Sequence, residues 1–447
     1  MAVKPDVLEG IAAGYAHAVL VFLGSDGYPV SVATSFEIDV TRGVVRLDPP
    51  AGTETLPLDG REVNVIFSHI RPLPEAGYDE RRYVSVWGPM ERGADGRLEL
   101  IPEESQSWDE TKVPFFQYSE ITVPQAHRYL DALSGRLGRR VRPRLAFFWL
   151  ALRTTRAPFL TATVIPVVLG VAAAALDGRW SLWLAALTLV AAACIHLALN
   201  VTNDVFDTMS GADPANTRPT QFSGGSRVIH YGLVSLRGAA MTSAGFYLAG
   251  IAIGLYLAWL RGFWPLFWLG VAGVVISVVY TAPPLRLVHR GVGEIAVGLG
   301  FGPIMLLGSY YVQAQRFSVE ALWLSLPVAI FIALVLYVNE IPDREGDAAA
   351  GKRTLPVRWS KAAVIRAYAL ATAAAYALIV LGAALRILPW PTLIALATAP
   401  LAVRVTRGIR ESYDDPYALM PTMAANIKLH LYTGLLLLAG YVAAIAI

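Results

Sequence analysis

The sequence predicts two parts of different class: a small soluble β-barrel or sandwich, then an all-α polytopic membrane domain of nine transmembrane helices. Three observations predict it. Hydrophobic residues make up 55% of the 447 residues and charged residues only 16%, with a mean hydropathy of +0.49, too few charges to coat a water-exposed globule. The first quarter of the chain shows short apolar stretches, partly alternating and punctuated by turn residues, as strands do. The remainder shows long apolar runs, each near the ~20 residues that span ~30 Å of hydrocarbon.

Strands are expected at 17–23, 30–38, 44–47, 62–68, 82–92 and 98–101, with Ser25-Asp26-Gly27 and Asp95-Gly96 as hairpin turns. A more polar stretch follows from Glu103 to Ser119, and a helix is expected from Pro124 to about Leu137. Arg136, Arg139, Arg140, Arg142 and Arg144 then precede the first long apolar run, a juxtamembrane basic segment suited to an anionic leaflet. The expected domains are therefore 1–135, a basic linker at 136–155, and a membrane domain at 156–447. Met1 to Gly10 lacks the apolar core of a signal peptide, so insertion is expected to rely on the later helices.

Spans are expected at about 157–176, 181–202, 238–259, 263–281, 294–313, 318–339, 362–385, 388–405 and 425–446. Loops after the even-numbered spans hold Arg218, Arg227, Arg286, Arg290, Arg344, Lys352, Arg353, Arg358, Arg407 and Arg410. The alternate loops hold only Arg179, Arg261, Arg316 and Arg386. The positive-inside rule puts the basic side and the N-terminal domain in the cytoplasm, in a multi-pass cell-membrane protein. The net charge of +3 and the absence of a basic stripe exclude nucleic acid as a partner. The single cysteine, Cys194, allows no internal disulfide and no multi-thiolate metal site.

Two carboxylate clusters end the second and sixth spans, hence face one side. Asn200, Asn203, Asp204 and Asp207 are spaced by three, four and seven residues and share a helix face; Asp343 and Asp347 do so at a spacing of four. Such faces offer oxygen ligands to Mg²⁺, which takes one or two carboxylates together with substrate phosphate oxygens. Arg227 beside Gly224-Gly225, Arg286 after Pro283-Pro284, and Lys352 with Arg353 are candidate diphosphate donors. Metal-assisted departure of a diphosphate would leave an allylic cation, for which Tyr280, Tyr310, Tyr311 and Tyr337 are candidate aromatic walls.

At these residues the chain resembles the UbiA superfamily of intramembrane prenyltransferases. Asn203, Asp204 and Asp207 match its Asn-Asp-x-x-Asp motif, and Asp343 and Asp347 its Asp-x-x-x-Asp motif. The resemblance covers Arg156 to the C-terminus. It implies two Mg²⁺ ions, a polyprenyl diphosphate donor, catalytic roles for Asp204, Asp207, Asp343 and Asp347, and a lateral opening for the lipid chain. The first motif often continues to a further Asp; Gly211 stands there, leaving the role of Asp213 open. The doubled Asn200 and Asn203, the Gly224 to Val228 run and the Gly351 to Leu355 run look most like the MenA branch, which prenylates 1,4-dihydroxy-2-naphthoate for menaquinone. Relatives use 4-hydroxybenzoate, homogentisate, a tetrapyrrole or a glycerol lipid. The non-enzymatic alternative, a cation-coupled transporter, would place its carboxylates at the midplane rather than at span ends.

The N-terminal part resembles the flavin-binding split barrels of the pyridoxamine-phosphate-oxidase-like superfamily, through Gly24 to Pro29 and Tyr83 to Gly88. That implies either a flavin or deazaflavin site or a degenerate barrel used for homodimerisation or docking. The stretch from Leu47 to Gly52 lacks the Lys expected at a flavin phosphate. The second reading is favoured.

Overall fold

The computed structural model describes residues 5–24, 29–50, 62–72, 78–142 and 147–447, which separate into two units, Met1–Arg142 and Pro143–Ile447. In the first, helix α1 (Pro5–Gly14) leads into strands β1 (Ala18–Leu23), β2 (Pro29–Thr34), β3 (Phe36–Asp39), β4 (Val44–Leu47), β5 (Glu62–Pro72), β6 (Tyr78–Arg92), β7 (Leu98–Leu100) and β8 (Glu104–Asp109). Helix α2 (Phe115–Leu137) closes the unit. The sheet is antiparallel, in the order β2-β1-β5-β6-β7-β4-β3, with β8 also on β6. Leu20, Val65, Phe67, Val86, Met90 and Leu98 form its core, and α1 adds Leu8 and Ile11 from one helical face.

The structure departs from the sequence expectations in four places here. The second predicted strand divides at Ser35, so that β2 pairs with β1 while β3 pairs with β4. The stretch from Glu104 to Asp109, where no strand was expected, is one. It went unseen because only Trp108 is buried along it, and its place is set by backbone pairing with β6. Helix α2 begins at Phe115 rather than Pro124, and α1 was not expected. The Asp95-Gly96 turn joins β6 to β7, with Gly96 at φ +81°. The Ser25-Asp26-Gly27 turn lies outside the described residues, as does Arg144 of the basic run.

The second unit contains α3 (Phe147–Thr155), α4 (Thr161–Leu176), α5 (Leu182–Ser210), α6 (Ala212–Ala215), α7 (Leu236–Arg261), α8 (Phe263–Val279), α9 (Gly293–Leu299), α10 (Met305–Ala314), α11 (Val319–Ala349), α12 (Leu355–Arg358), α13 (Lys361–Ala384), α14 (Ala399–Ser412) and α15 (Met420–Ala446). Among the described residues, 7 helices are long and apolar enough to cross a membrane. Two of them are composite. A π turn at Gly300–Ile304 joins α9 to α10, where Pro303 lacks an N–H for the regular ladder; a 3₁₀ stretch precedes α14. At the first and fourth expected spans stand shorter apolar helices, α4 of 16 residues and α8 of 17.

Length places the clusters. Helices α5 and α11 run 29 and 31 residues. At 1.5 Å per residue each exceeds ~40 Å, so with ~30 Å in hydrocarbon their last turns, which carry the aspartates, reach the interface.

Candidate active site

The C-terminal turns of α5 and α11 form two walls, and the 211–235 loop folds between them. On α5, Asn203 donates to Asp207 Oδ2 at 2.9 Å, and Asn200 donates to the Thr155 carbonyl at 2.9 Å. Asp204 accepts from the Arg156 guanidinium and the Ser226 hydroxyl, and from the Ser226 amide at 3.3 Å. On α11, Asp343 accepts from Asn216 Nδ2 at 2.8 Å and from the Gly224 amide at 3.0 Å. Lys352 spans the two walls, with its Nζ 3.5 Å from Asp207 Oδ2 and 3.5 Å from Asp347 Oδ1.

The loop needs its glycines. Gly224 and Gly225 sit at φ +76° and +75°, and a Cβ on Gly225 would lie 2.8 Å from Asp213 Oδ1. On the other wall, a Cβ on Gly346 would lie 2.9 Å from the Asn216 Cα, with no flexible atom able to yield. Gly346→Ala is therefore expected to lose about 1–3 kcal/mol by overpacking and to displace Asn216 from Asp343. Thermal unfolding checks the first effect, and an unchanged midpoint would refute this packing.

The walls enclose a polar cavity of about 180 Å³. Asn200, Asn203, Asp207, Asp343, Asp347 and Lys352 line it. Asp204, only 2% exposed, stands behind Arg156, which does line the cavity. The other candidate cations lie elsewhere. Arg227 is buried under the loop and donates to the carbonyls of Asp213 and, at 3.2 Å, Asn216, while Arg286 and Arg353 are exposed and line no part of the cavity. Arg156, Asn216 and Glu340 line it although sequence reasoning did not select them, and so does Asp213, whose role it left open.

Charge is concentrated and unevenly satisfied. Burial opposes the Lys352 charge, but Asp207 and Asp347 outweigh it and hold the ammonium well above its ordinary value. Burial, reinforced by Asp204 and Asp207, pushes the Asp213 carboxyl well above the usual carboxylate range. Asp207 Oδ1 and Asp347 Oδ2 are buried with no hydrogen-bond partner. Such oxygens are acceptors awaiting a cation or a donor. Among the described residues no three His, Cys, Asp or Glu side chains gather closely enough to hold a metal alone. The donor set therefore fits Mg²⁺ shared with a phosphate-bearing substrate, not a self-sufficient metal centre.

Behind the polar cavity lies an apolar chamber of about 520 Å³ between α5, α7, α8 and the α9–α10 span. His196, Leu199, Tyr280, Val297 and Phe301 line both, so the charged cavity and the hydrocarbon chamber adjoin across these side chains. His196 is fixed there through Nδ1, 2.7 Å from the Thr163 hydroxyl. Of the four tyrosines proposed as walls, Tyr280 lines the site. Tyr310 binds Asp177, Tyr337 donates to the Val364 carbonyl at 3.1 Å, and Tyr311 packs against Phe317.

Comparison with known proteins agrees on one family. The profile described as the UbiA prenyltransferase family matches residues 163–443. The chain is 29% identical over 294 residues to the 2-carboxy-1,4-naphthoquinone phytyltransferase of Synechocystis, covering 66% of this chain and 92% of that one. It is 26% identical over 290 residues to the 1,4-dihydroxy-2-naphthoate octaprenyltransferase of Bacillus subtilis, covering 64% and 90%. Among solved structures, a UbiA homolog from Archaeoglobus fulgidus bound to GPP and Mg²⁺ is similar with a TM-score of 0.46 at 18% identity, covering 66% of this chain and 99% of that one.

Proposed function

The chain belongs to the UbiA prenyltransferase family, and on that premise we propose that it transfers a polyprenyl group from a polyprenyl diphosphate to 1,4-dihydroxy-2-naphthoate, a step of menaquinone biosynthesis. The observation that carries this reading is that a carboxylate-walled polar cavity adjoins an apolar chamber across shared side chains, an arrangement suited to a molecule charged at one end and hydrocarbon at the other.

In this reading Asp207 and Asp347, with Asp343 and Asn203 beside them, hold Mg²⁺ through oxygens that are otherwise unsatisfied. Bound Mg²⁺ supplies Lewis-acid stabilisation of the departing diphosphate. Lys352 and Arg156 are the cations that line the cavity and reach diphosphate oxygens; Arg227 braces the loop that positions Asp343's partners. Asp204 orients Arg156. Tyr280 and Phe301, at the junction of cavity and chamber, present π faces where the allylic carbon would lie and exclude water from it.

The remaining assignments are part of the same proposal. All nine apolar segments cross the bilayer, α4 and α8 included, with the aspartate loops and the N-terminal unit in the cytoplasm, because cations crowd the loops on that side. The domains run 1–135, 136–155 and 156–447. The N-terminal sheet curls into a split barrel, supported by β2 and β3, which end opposite sides of the sheet yet are separated in the chain by Ser35 alone. It serves homodimerisation or docking rather than flavin binding, since Asp48-Pro49-Pro50 offers a flavin phosphate no cationic side chain.

Purified enzyme in nanodiscs, given a radiolabelled polyprenyl diphosphate, is expected to prenylate dihydroxynaphthoate with Mg²⁺ and to stop on chelation. Product from hydroxybenzoate or homogentisate instead would move the acceptor assignment. No diphosphate release with any acceptor would sink the reading.

A further inference from the structure

One buried group lining the cavity is not used by metal or diphosphate. Glu340 lies on α11, three residues before Asp343 and seven before Asp347, so it is about 4 Å and 10 Å deeper along the helix. It is 5% exposed, lines the polar cavity, and neither of its carboxyl oxygens meets an N–H donor or a hydroxyl. It faces another carboxyl, Glu294 at the start of α9, within hydrogen-bonding reach, so that the two can share one proton, and Glu294 Oε1 meets no other donor. Tyr280 stands beside this pair and lines both the polar cavity and the apolar chamber. Lys352, the nearest cation, is engaged one to two turns away by Asp207 and Asp347.

A buried carboxyl group without a donor carries a desolvation cost, and in functional sites the missing partner often arrives with the ligand. A proton shared with Glu294 occupies only one oxygen of Glu340, and the other remains an acceptor whose partner must be a donor. The prenyl donor cannot supply it: its diphosphate is anionic and its chain is hydrocarbon. The aromatic acceptor can, through a ring hydroxyl. Of the two hydroxyls of 1,4-dihydroxy-2-naphthoate, the 4-hydroxyl is the one remote from the substrate's own carboxylate, which a second buried carboxylate would repel.

We propose that Glu340 accepts a hydrogen bond from the 4-hydroxyl of the acceptor, and that the wall it forms with Tyr280 is the acceptor subsite. This rests on the reading of the enzyme as a dihydroxynaphthoate prenyltransferase. A hydrogen bond from the hydroxyl to Glu340 pushes electron density into the ring that attacks the allylic carbon, and it sets that ring at the mouth of the chamber, deeper than the diphosphate. The proton stays on the hydroxyl oxygen in this interaction.

The test compares wild type, Glu340→Leu and Glu340→Gln in nanodiscs. Leucine is expected to lower kcat/KM for dihydroxynaphthoate about 10–100-fold, the loss of one hydrogen bond to a charged group. The KM for the polyprenyl diphosphate should move less than about threefold, as should inhibition by 1-hydroxy-2-naphthoate, which lacks the 4-hydroxyl. Glutamine keeps an acceptor oxygen and should fall between wild type and leucine; if the leucine variant does not fold, this selective loss in the glutamine variant decides the matter. Wild-type behaviour in the variants would mean that water satisfies Glu340. Equal losses towards dihydroxynaphthoate, its monohydroxy analogue and the diphosphate would mean a packing role. Either result overturns the proposal while leaving prenyl transfer intact, whereas a wild type that consumes no dihydroxynaphthoate removes its premise as well.

Discussion

Asparagine in place of Asp207 is expected to lower prenyl transfer about 10²–10⁴-fold, the range set by losing several kcal/mol of metal-centred transition-state stabilisation. Asp207 is singled out because it has an unpartnered buried oxygen, a fixed second oxygen held by Asn203 at 2.9 Å, and a place in the cavity wall. Asp347→Asn should behave alike from the opposite wall, and raising Mg²⁺ should recover part of the loss in each single variant. The measurement is the steady-state rate against Mg²⁺ concentration. A rate within threefold of wild type for both variants would show that these carboxylates are structural. For Asp204→Asn the expected signature differs: it frees the Arg156 guanidinium, so the KM for the diphosphate should rise along with the loss of rate.

Lys352→Ala should produce the second large effect, on stability as well as on rate. The ammonium lies between Asp207 and Asp347, and its removal leaves two buried carboxylates facing each other. Breaking a buried ion pair from one side costs about 3–5 kcal/mol. Mg²⁺ can replace part of the missing charge, so the variant's unfolding temperature should rise with Mg²⁺ more steeply than that of wild type. Thermal unfolding in detergent across a Mg²⁺ series measures this. Equal Mg²⁺ responses in the two proteins would show that the ion does not enter between these carboxylates.

Lys352 also illustrates what sequence could and could not say about the cations. Four basic residues stood close to the clusters in the chain, and proximity alone could not rank them. Lys352 reaches the cavity because the turn after α11 is closed by its amide to the Asp347 carbonyl at 2.8 Å. The next residue, Arg353, is carried outward by the same turn, its amide meeting the His289 carbonyl at 3.0 Å. Arg227 is turned under the loop with φ at +61°. Arg156 was read only as the first residue of the membrane domain; nothing in residue type or local pattern marks it, and it becomes part of the site by meeting a carboxylate 48 residues later. The strand β8 was missed for a related reason, since its position depends on the backbone of β6 and not on its own hydrophobic pattern.

The sequence by itself determined what helical periodicity and solvent transfer dictate. Apolar length marked the membrane segments, and spacings of three, four and seven put Asn200, Asn203, Asp204 and Asp207 on one face of α5, with Asp343 and Asp347 on one face of α11. These are local properties, set by 3.6 residues per turn and by the cost of bare backbone in hydrocarbon. Only the tertiary structure decided which oxygens are left without partners, which cations face them, and that the charged cavity adjoins the apolar chamber at Tyr280 and Phe301. The physical reason is range: the contact between Lys352 and Asp207 joins residues 145 apart, and it depends on how two helices and a glycine loop pack, which no local pattern encodes.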